Sequence, residues 1–283
     1  MLIPTKEILL AAQREKKAVA AFNVFNLETV QASVQAAEEE NRPVIIALGE
    51  RYLPTVDLEG FAAMAIAIAR KAAIPVALHL DHAYEKESIV RAIRCGFTSV
   101  MYDGSKYELG ENIARTKDIA DLAHMAGVSV EAEIGSVSRG AFSDEEEGDG
   151  RLTDPADAKR FVEETGVDFL AAAIGTVHGM YTGEPKIDLE LLREIEAAVT
   201  IPLVLHGGSG TPDAIIAQAI ESGICKVNVN TEVSLAAVSH LIRCASSAEA
   251  QRTHLSAIMA DMQYTIAPVM KKFVKLLARQ EQA

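Results

Sequence analysis

The sequence has no tryptophan, only three cysteines, and far fewer cations than anions; each shortage removes a class of protein. Cys95, Cys225 and Cys244 are odd in number and show no CxxC spacing, which argues against a disulfide scaffold or a cysteine zinc site. The 27 Lys and Arg against 40 Asp and Glu give a formal charge of −13 without any basic cluster, so no phosphate-binding surface for nucleic acid is present. Long apolar runs are also missing. The longest, Phe61 to Ala69, has nine residues, whereas a membrane-spanning helix needs ~20. The opening Met1-Leu-Ile-Pro-Thr-Lys-Glu lacks the basic-then-apolar pattern of a signal peptide, and a reduced, cytoplasmic protein is expected.

The 283 residues, 49% of them hydrophobic, suffice for one large α/β barrel or two ordinary domains. Eight short apolar runs recur: Val19–Val24, Val44–Leu48, Val76–Leu80, Ser99–Tyr102, Val128–Ile134, Phe169–Ile174, Leu203–Leu205 and Lys226–Val229. Nearly continuous hydrophobicity suits parallel strands buried on both faces. Between them lie helix patterns, among them Asn26–Glu40, Leu58–Lys71, Lys86–Cys95 and Asn112–Ala126. Asp154-Pro155 and Thr211-Pro212 each read as a helix cap followed by a first-turn proline. Eight strands alternating with helices specify a (β/α)8 TIM barrel, a single domain over residues 1–283, with a helical extension from Arg252 onward. A doubly wound sheet would need a phosphate loop after an early strand, and no GxGxxG or Walker-type loop occurs. Residues 136–152 break the rhythm with little apolar content, the mark of an active-site lid or an insertion.

Chemistry in such a barrel sits at the C-terminal strand ends. There the third strand ends His79-Leu80-Asp81-His82, the sixth runs into Thr176-Val177-His178-Gly179, and the seventh ends Leu205-His206-Gly207-Gly208-Ser209-Gly210. A lone histidine is more often a packed core residue than a ligand. Three delivered to one rim fit a divalent ion with an open position, and His82, His178 and His206 are the expected ligands. His79 alternates differently and takes a supporting place behind them. His124, His240 and His254 fall outside this pattern and read as ordinary packing or surface residues. Asp81 would sit beside the metal as an orienter or a proton carrier. Asp103 and Glu133 are further metal or charge-balance candidates, with hydrogen bonding inside the barrel mouth as the plain alternative. The loops after the last two strands, Gly207 to Gly210 and Asn228-Val229-Asn230-Thr231, carry the glycines and hydroxyls that bind a phosphate through backbone N–H groups.

These residues together resemble the class II, metal-dependent fructose-bisphosphate and tagatose-bisphosphate aldolase family. The resemblance rests on Ala21-Phe-Asn23, His79-Leu-Asp-His82, Asp103-Gly-Ser105, Val130-Glu-Ala-Glu-Ile-Gly135, Ala173-Ile-Gly-Thr-Val-His-Gly179, Leu203-Val-Leu-His-Gly-Gly-Ser-Gly210 and Lys226-Val-Asn-Val-Asn-Thr231, in that order. It implies retro-aldol cleavage of a sugar phosphate, a ketose such as fructose or tagatose 1,6-bisphosphate, to dihydroxyacetone phosphate and an aldehyde. It also implies Zn2+ on His82, His178 and His206, and a second divalent or monovalent cation at Asp103 and Glu133. Asp81 would handle the proton of the cleaved hydroxyl. Asn23, Gly179, Gly207, Gly208, Ser209, Asn228, Val229, Asn230 and Thr231 would bind substrate. A homodimer or homotetramer is expected. No Schiff-base lysine is needed, and Lys226, opening its strand, should lie at the wrong face.

Departures from the family pattern bear on the substrate. Ser138-Arg139-Gly140 replaces a Gly-Gly pair in the mobile loop, and Asp144, Glu145 and Glu146 are rival loop acids in a charge run, Glu145 being the choice. Gly49, where many relatives carry Ser or Thr, and Thr182, where some carry Lys, remove phosphate contacts. The alternatives are therefore a different ketose 1-phosphate giving a non-phosphorylated aldehyde, epimerisation of a phosphosugar, or a non-catalytic barrel subunit of an aldolase complex.

Overall fold

A computed structural model describes residues 1–246 and 254–279. Ten strands occur among them: β1 (Val19–Asn23), β2 (Val44–Gly49), β3 (Val76–Ala83), β4 (Ser99–Tyr102), β5 (Ser129–Ile134), β6 (Ser138–Arg139), β7 (Phe169–Ala172), β8 (Val177–His178), β9 (Leu203–Leu205) and β10 (Ile224–Val229). Eight close a parallel barrel in the order β1-β10-β9-β7-β5-β4-β3-β2. All residues of those eight strands are buried, as the continuous apolar runs require. Ten α-helices accompany them.

The side chains of neighbouring strand residues divide between two clusters. One faces the surrounding helices and contains Phe22, Leu48, Leu78, Val130, Leu170 and Val229. The other fills the barrel's lower interior with Val19, Ala21, Ile45, Ala77, Phe169 and Val204, and the helix Thr5–Glu15 plugs it with Ile8, Leu9 and Ala12. The helix Leu255–Leu277 packs on Leu27–Glu39 and on Thr231–Ser246, so the expected C-terminal extension is present; residues 252 and 253 lie outside the described part.

Local signals set most boundaries. Asp154 caps the helix Pro155–Thr165 by accepting the Ala156 and Asp157 N–H groups, with Pro155 in its first turn. The second capped proline corrects the sequence reading. The helix Asp213–Glu221 starts after Pro212 with no side-chain cap, and Thr211 Oγ1 instead donates to Gly207 O at 2.8 Å. Thr211 thus braces the glycine turn, not the helix.

Two departures matter for the site. β3 runs three residues past the apolar stretch, and its register against β4 shifts between Leu80 and Ala83 while His82 adopts φ 44°. A regular strand would aim Asp81 and His82 at opposite faces; a bulge with one left-handed residue turns both toward the mouth. The segment 136–152, expected without structure, contains β6, which pairs in parallel with β8 (Ser138↔Val177, Arg139↔His178). Gly140 N–H donates to His178 O at 2.7 Å, and Ala141 and Met180 exchange backbone bonds. His178 is therefore held by the lid's own backbone and not by a barrel strand.

Candidate active site

His82 leaves the end of β3, His206 follows β9, and His178 hangs from β8 over the mouth. Their ring centroids lie 5.1 Å (82–178), 4.6 Å (82–206) and 5.7 Å (178–206) apart. One ring nitrogen from each falls within 4.8 Å of the others. Three separate parts of the chain thus meet at one point, as the sequence pattern requires.

Each imidazole has a side-chain or positional constraint. Glu131, two residues before Glu133 on β5 and so on the same face, accepts from His206 Nε2 at 2.9 Å. That bond leaves Nδ1 of His206 as the nitrogen turned to the site. It lies 2.9 Å from Glu133 Oε2 without hydrogen-bond alignment, and both atoms are buried and unpaired. His178 Nε2 is likewise buried and makes no hydrogen bond. Asp103 Oδ2 meets His82 Nδ1 at 2.8 Å, and Ser105 fixes the other oxygen through its N–H (3.1 Å) and hydroxyl (2.6 Å). His82, Asp103 and Glu133 form a second group of close donors, and Asp81, His82 and Glu145 a third.

The electrostatics suit a bound cation. Burial, with His82 and His206 alongside, holds His178 neutral, well below the ordinary histidine value. Burial opposes charge on His206 too, but Glu131 and Glu133 outweigh it and lift that ring to about 9. Buried nitrogens and a carboxylate oxygen without partners are costly, and a divalent ion taking imidazole and carboxylate donors satisfies them. The residues fit such an ion.

Asp81 is 1% exposed, and its two oxygens accept from Asn23 Nδ2 (2.8 Å) and Asn228 Nδ2 (3.1 Å). Beside it, a small cavity is lined by Asn23, Gly179, Gly207, Ser209, Asn230 and Thr231, among others. A Cβ on Gly207, at φ 73°, would come 2.1 Å from Val177 O, so the close approach admits glycine alone. Gly208 and Val229 do not line it: Gly208 N–H donates to Asn228 O at 3.0 Å, and Val229 joins the outer apolar cluster. They build the wall from behind.

Of the three loop acids, Glu145 turns inward. Its side chain is 11% exposed and pairs with Arg51, while burial raises its carboxyl pKa. Asp144 is half-exposed at the rim of the small cavity, accepting from Tyr52 OH (2.5 Å) and Asn230 Nδ2 (3.0 Å). Glu146 lines only the adjoining cavity of about 320 Å3 on the Asp103–Glu133 side, which shares His82, Glu145 and His178 with the smaller one.

Lys226 corrects the sequence reading. β10 begins at Ile224, so Lys226 is its third residue, fully buried inside the barrel, with Nζ donating to Glu131 Oε2 at 2.7 Å. The two-residue step from Asn228 already placed it on the inward face. His79 does stand behind the ligands: its Nδ1 pairs with Ser99 Oγ at 2.8 Å, and Nε2 lies 3.5 Å from Glu131. Arg51 and Tyr52 went unnoticed, although they directly follow a barrel strand's C-terminal end.

Imidazoles gathered on three strand-end segments, with carboxylates behind them and glycine turns alongside, place the chain among metal-dependent barrel enzymes that handle anionic substrates. The chain belongs to the class-II fructose-bisphosphate aldolase family, which it matches over residues 3–280, and is a carbon–carbon lyase of that metal-dependent class acting on a sugar phosphate. It is 43% identical over 260 residues, 90% of its own length and 87% of the relative's, to a protein of Bacillus subtilis (strain 168) named "Probable fructose-bisphosphate aldolase". It superposes with a TM-score of 0.88 and 36% identity on the YdjI aldolase from Escherichia coli K12, covering 99% of both chains. At 21% identity it shares the fold of fructose-bisphosphate aldolase from Campylobacter jejuni, with a TM-score of 0.80 over 98% of this chain and 95% of that one. Among the described residues no helix is long and apolar enough to cross a membrane.

Proposed function

We propose that the chain is a zinc-dependent aldolase that cleaves a ketose (bis)phosphate, such as fructose or tagatose 1,6-bisphosphate, reversibly to dihydroxyacetone phosphate and an aldehyde. The observation that carries this is the meeting of His82, His178 and His206, with unpaired buried donors, beside the glycine cradle. His82, His178 and His206 would hold a divalent ion, with Asp103 and Glu133 as a second cation position, and the bound ion would supply Lewis-acid stabilisation of negative charge on the ketose oxygens. The substrate phosphate lies against Gly179, Gly207, Ser209, Asn228, Asn230 and Thr231, with Gly208 and Val229 supporting that wall from behind. Asp81, an ionised carboxylate oriented by Asn23 and Asn228, accepts the proton of the hydroxyl next to the breaking bond. As that carbon–carbon bond breaks, its electron pair stays on the dihydroxyacetone phosphate fragment. Glu145 delivers the proton to that carbon, a task suited to a carboxyl whose hold on a proton is raised by burial. The lid over residues 136–152 brings Glu145 in and covers the site.

A ketose 1-phosphate with a non-phosphorylated aldehyde is the second reading, favoured by Gly49 and Thr182. A scaffold subunit would need neither Asp81 nor the imidazole set. A cytoplasmic homodimer or homotetramer accords with three cysteines that form no disulfide and with exposed Val238, Leu241, Ile242 and Leu255 on the last two helices.

The test is product analysis on a ketose-phosphate panel with metal-stripped and zinc-loaded protein. The zinc-loaded form should split the carbon chain, the stripped form should not, and borohydride with substrate should leave activity intact. A product of unchanged carbon number would point to epimerisation and defeat the proposal; borohydride inactivation would point to a lysine mechanism. Turnover of either bisphosphate at kcat/KM above ~10⁴ M⁻¹s⁻¹ would remove the second reading.

A further inference from the structure

Arg51 is unusual in being a largely buried guanidinium at the catalytic mouth whose ion-pair partners both come from the lid. It stands two residues after β2, in the short turn Glu50–Tyr52, and its side chain is 19% exposed. Nη1 pairs with Glu145, whose carboxylate also belongs to the close group with Asp81 and His82. Nε lies 3.4 Å from Asp144 Oδ2 without hydrogen-bond alignment, and Nε and Nη2 are both buried with no hydrogen bond. Tyr52 backs the guanidinium, its ring centroid 4.9 Å from Cζ. Gly49 makes the room: a Cβ there would come 3.3 Å from Arg51 Cζ. The space gained by that glycine therefore goes to a cation.

A guanidinium matches carboxylate and phosphate through paired N–H groups, and here the two loop carboxylates satisfy only part of that fork. Glu145 and Asp144 also help to line the small cavity beside Asp81, so the lid fills space that substrate would need. The large cavity on the other side offers no substitute for an anion, since Glu108, Glu146, Glu147 and Asp149 line it against Lys106 and Arg151. We propose that Arg51 selects the aldehyde half of the substrate by binding a terminal anion there, carboxylate or phosphate, and that Glu145 occupies this place only until substrate arrives. Because Glu145 reaches Arg51 and the Asp81–His82 pair at once, the anion lies a short chain away from the breaking bond. Substrate binding at Arg51 then releases Glu145 for its proton transfer, which couples recognition of the far end to readiness of the loop acid.

This inference rests on the aldolase reading. The experiment is condensation of dihydroxyacetone phosphate by the zinc-loaded enzyme with three aldehydes of one length: glyceraldehyde, glyceraldehyde 3-phosphate and tartronate semialdehyde. The wild type should favour at least one anionic aldehyde over glyceraldehyde by 10-fold or more in kcat/KM, as about a tenfold gain is the least a charge-assisted contact gives. Arg51→Met should remove that preference, bringing the anionic-to-neutral ratio down to about 1, because the cation that makes the charge pair is gone. Arg51→Lys, which keeps the charge and the cover over Tyr52, should retain part of it and guards against a folding defect. The faster anionic aldehyde identifies the terminal group. An anionic-to-neutral ratio unchanged in Arg51→Met, a wild type that favours glyceraldehyde, or an Arg51→Lys no more selective than Arg51→Met would each overturn the assignment. Absence of carbon–carbon bond formation with all three would instead bring down the aldolase reading, and this assignment with it.

Discussion

Lys226→Met should be one of the most damaging single changes away from substrate. The ammonium is fully buried, 2.7 Å from Glu131 Oε2, and Glu131 is equally buried. Although burial favours the protonated acid, Lys226 and His206 hold Glu131 down at about 2, so it is an anion at neutral pH. Removing Lys226 leaves that anion buried without its counter-ion, a loss of about 3–5 kcal/mol. At roughly 2–4 °C per kcal/mol for a domain near this size, thermal unfolding should fall by about 6–20 °C. Lys226→Met/Glu131→Gln should recover most of this, because the amide fills the same space without a charge. Metal affinity reports a separate consequence. Glu131 fixes the nitrogen that His206 presents, and loss of such an outer partner typically weakens metal binding about 10–100-fold. Glu131→Gln should therefore bind zinc more weakly in a competition titration even where the double variant is stable. An unchanged melting temperature in Lys226→Met, or a double variant no better than the single, would refute the reasoning.

Three other outcomes follow from the same geometry. His206→Ala should lose metal on dialysis, whereas Asp81→Ala should keep it and lose ~10²–10⁴-fold in rate; metal-free Asp81→Ala by elemental analysis would contradict that division. Burial raises Tyr52 to about 12, so the phenol that donates to Asp144 stays neutral longer in the folded protein than at its ordinary value of 10.0. The folded state holds this proton more tightly, so the contribution is complete below the ordinary value and lost as pH rises toward 12; a difference absorbance titration against Tyr52→Phe should show one late phenol, and an early one would disprove it. Zinc at ~1,000 times its Kd should stabilise the stripped protein by about 4 kcal/mol, read as a rise in melting temperature, and no rise would mean that the imidazoles do not bind it in the folded state.

What could be read from the sequence followed from periodicity. All eight barrel strands announced themselves because burial on both faces leaves a continuous apolar run, and three strand-end histidines stood out against that background. The misreadings arose where chemistry interrupts the pattern. β3 seemed to stop at Leu80 because Asp81 and His82 are polar, yet the bulge carries the strand through them. β6 and β8 have two residues each, too few for any period, so the tie between lid and His178 was invisible. Thr211-Pro212 resembled a helix cap because its composition suits one, while its hydroxyl is spent on the Gly207 turn. Which loop acid turns inward depended on Arg51, a contact between segments more than ninety positions apart.

The polar interior also ties the proposed metal ligands to the barrel energetically. Asp81, Asp103, Glu131 and Glu133 are all buried around the mouth, and among the described residues Lys226 is the one buried lysine. Burial and Lys226 keep His79, at about 4, from adding a second positive charge. Four carboxylates against one ammonium would repel one another unless further positive charge arrives. Protons on His82 and His206 can supply it, and both rings are raised above their ordinary value for that reason. A divalent ion does the same work while leaving the imidazoles neutral as ligands, so metal uptake should displace protons. From this arrangement it follows that the acidic residues are more than support for the ligands. They generate the deficit that a bound cation would offset, and they reach toward the structural core: Glu131 lies 3.5 Å from His79 Nε2 without a hydrogen bond, while hydrogen bonds join His79 to Ser99 and Ser99 to Thr5 on the helix that plugs the opposite end.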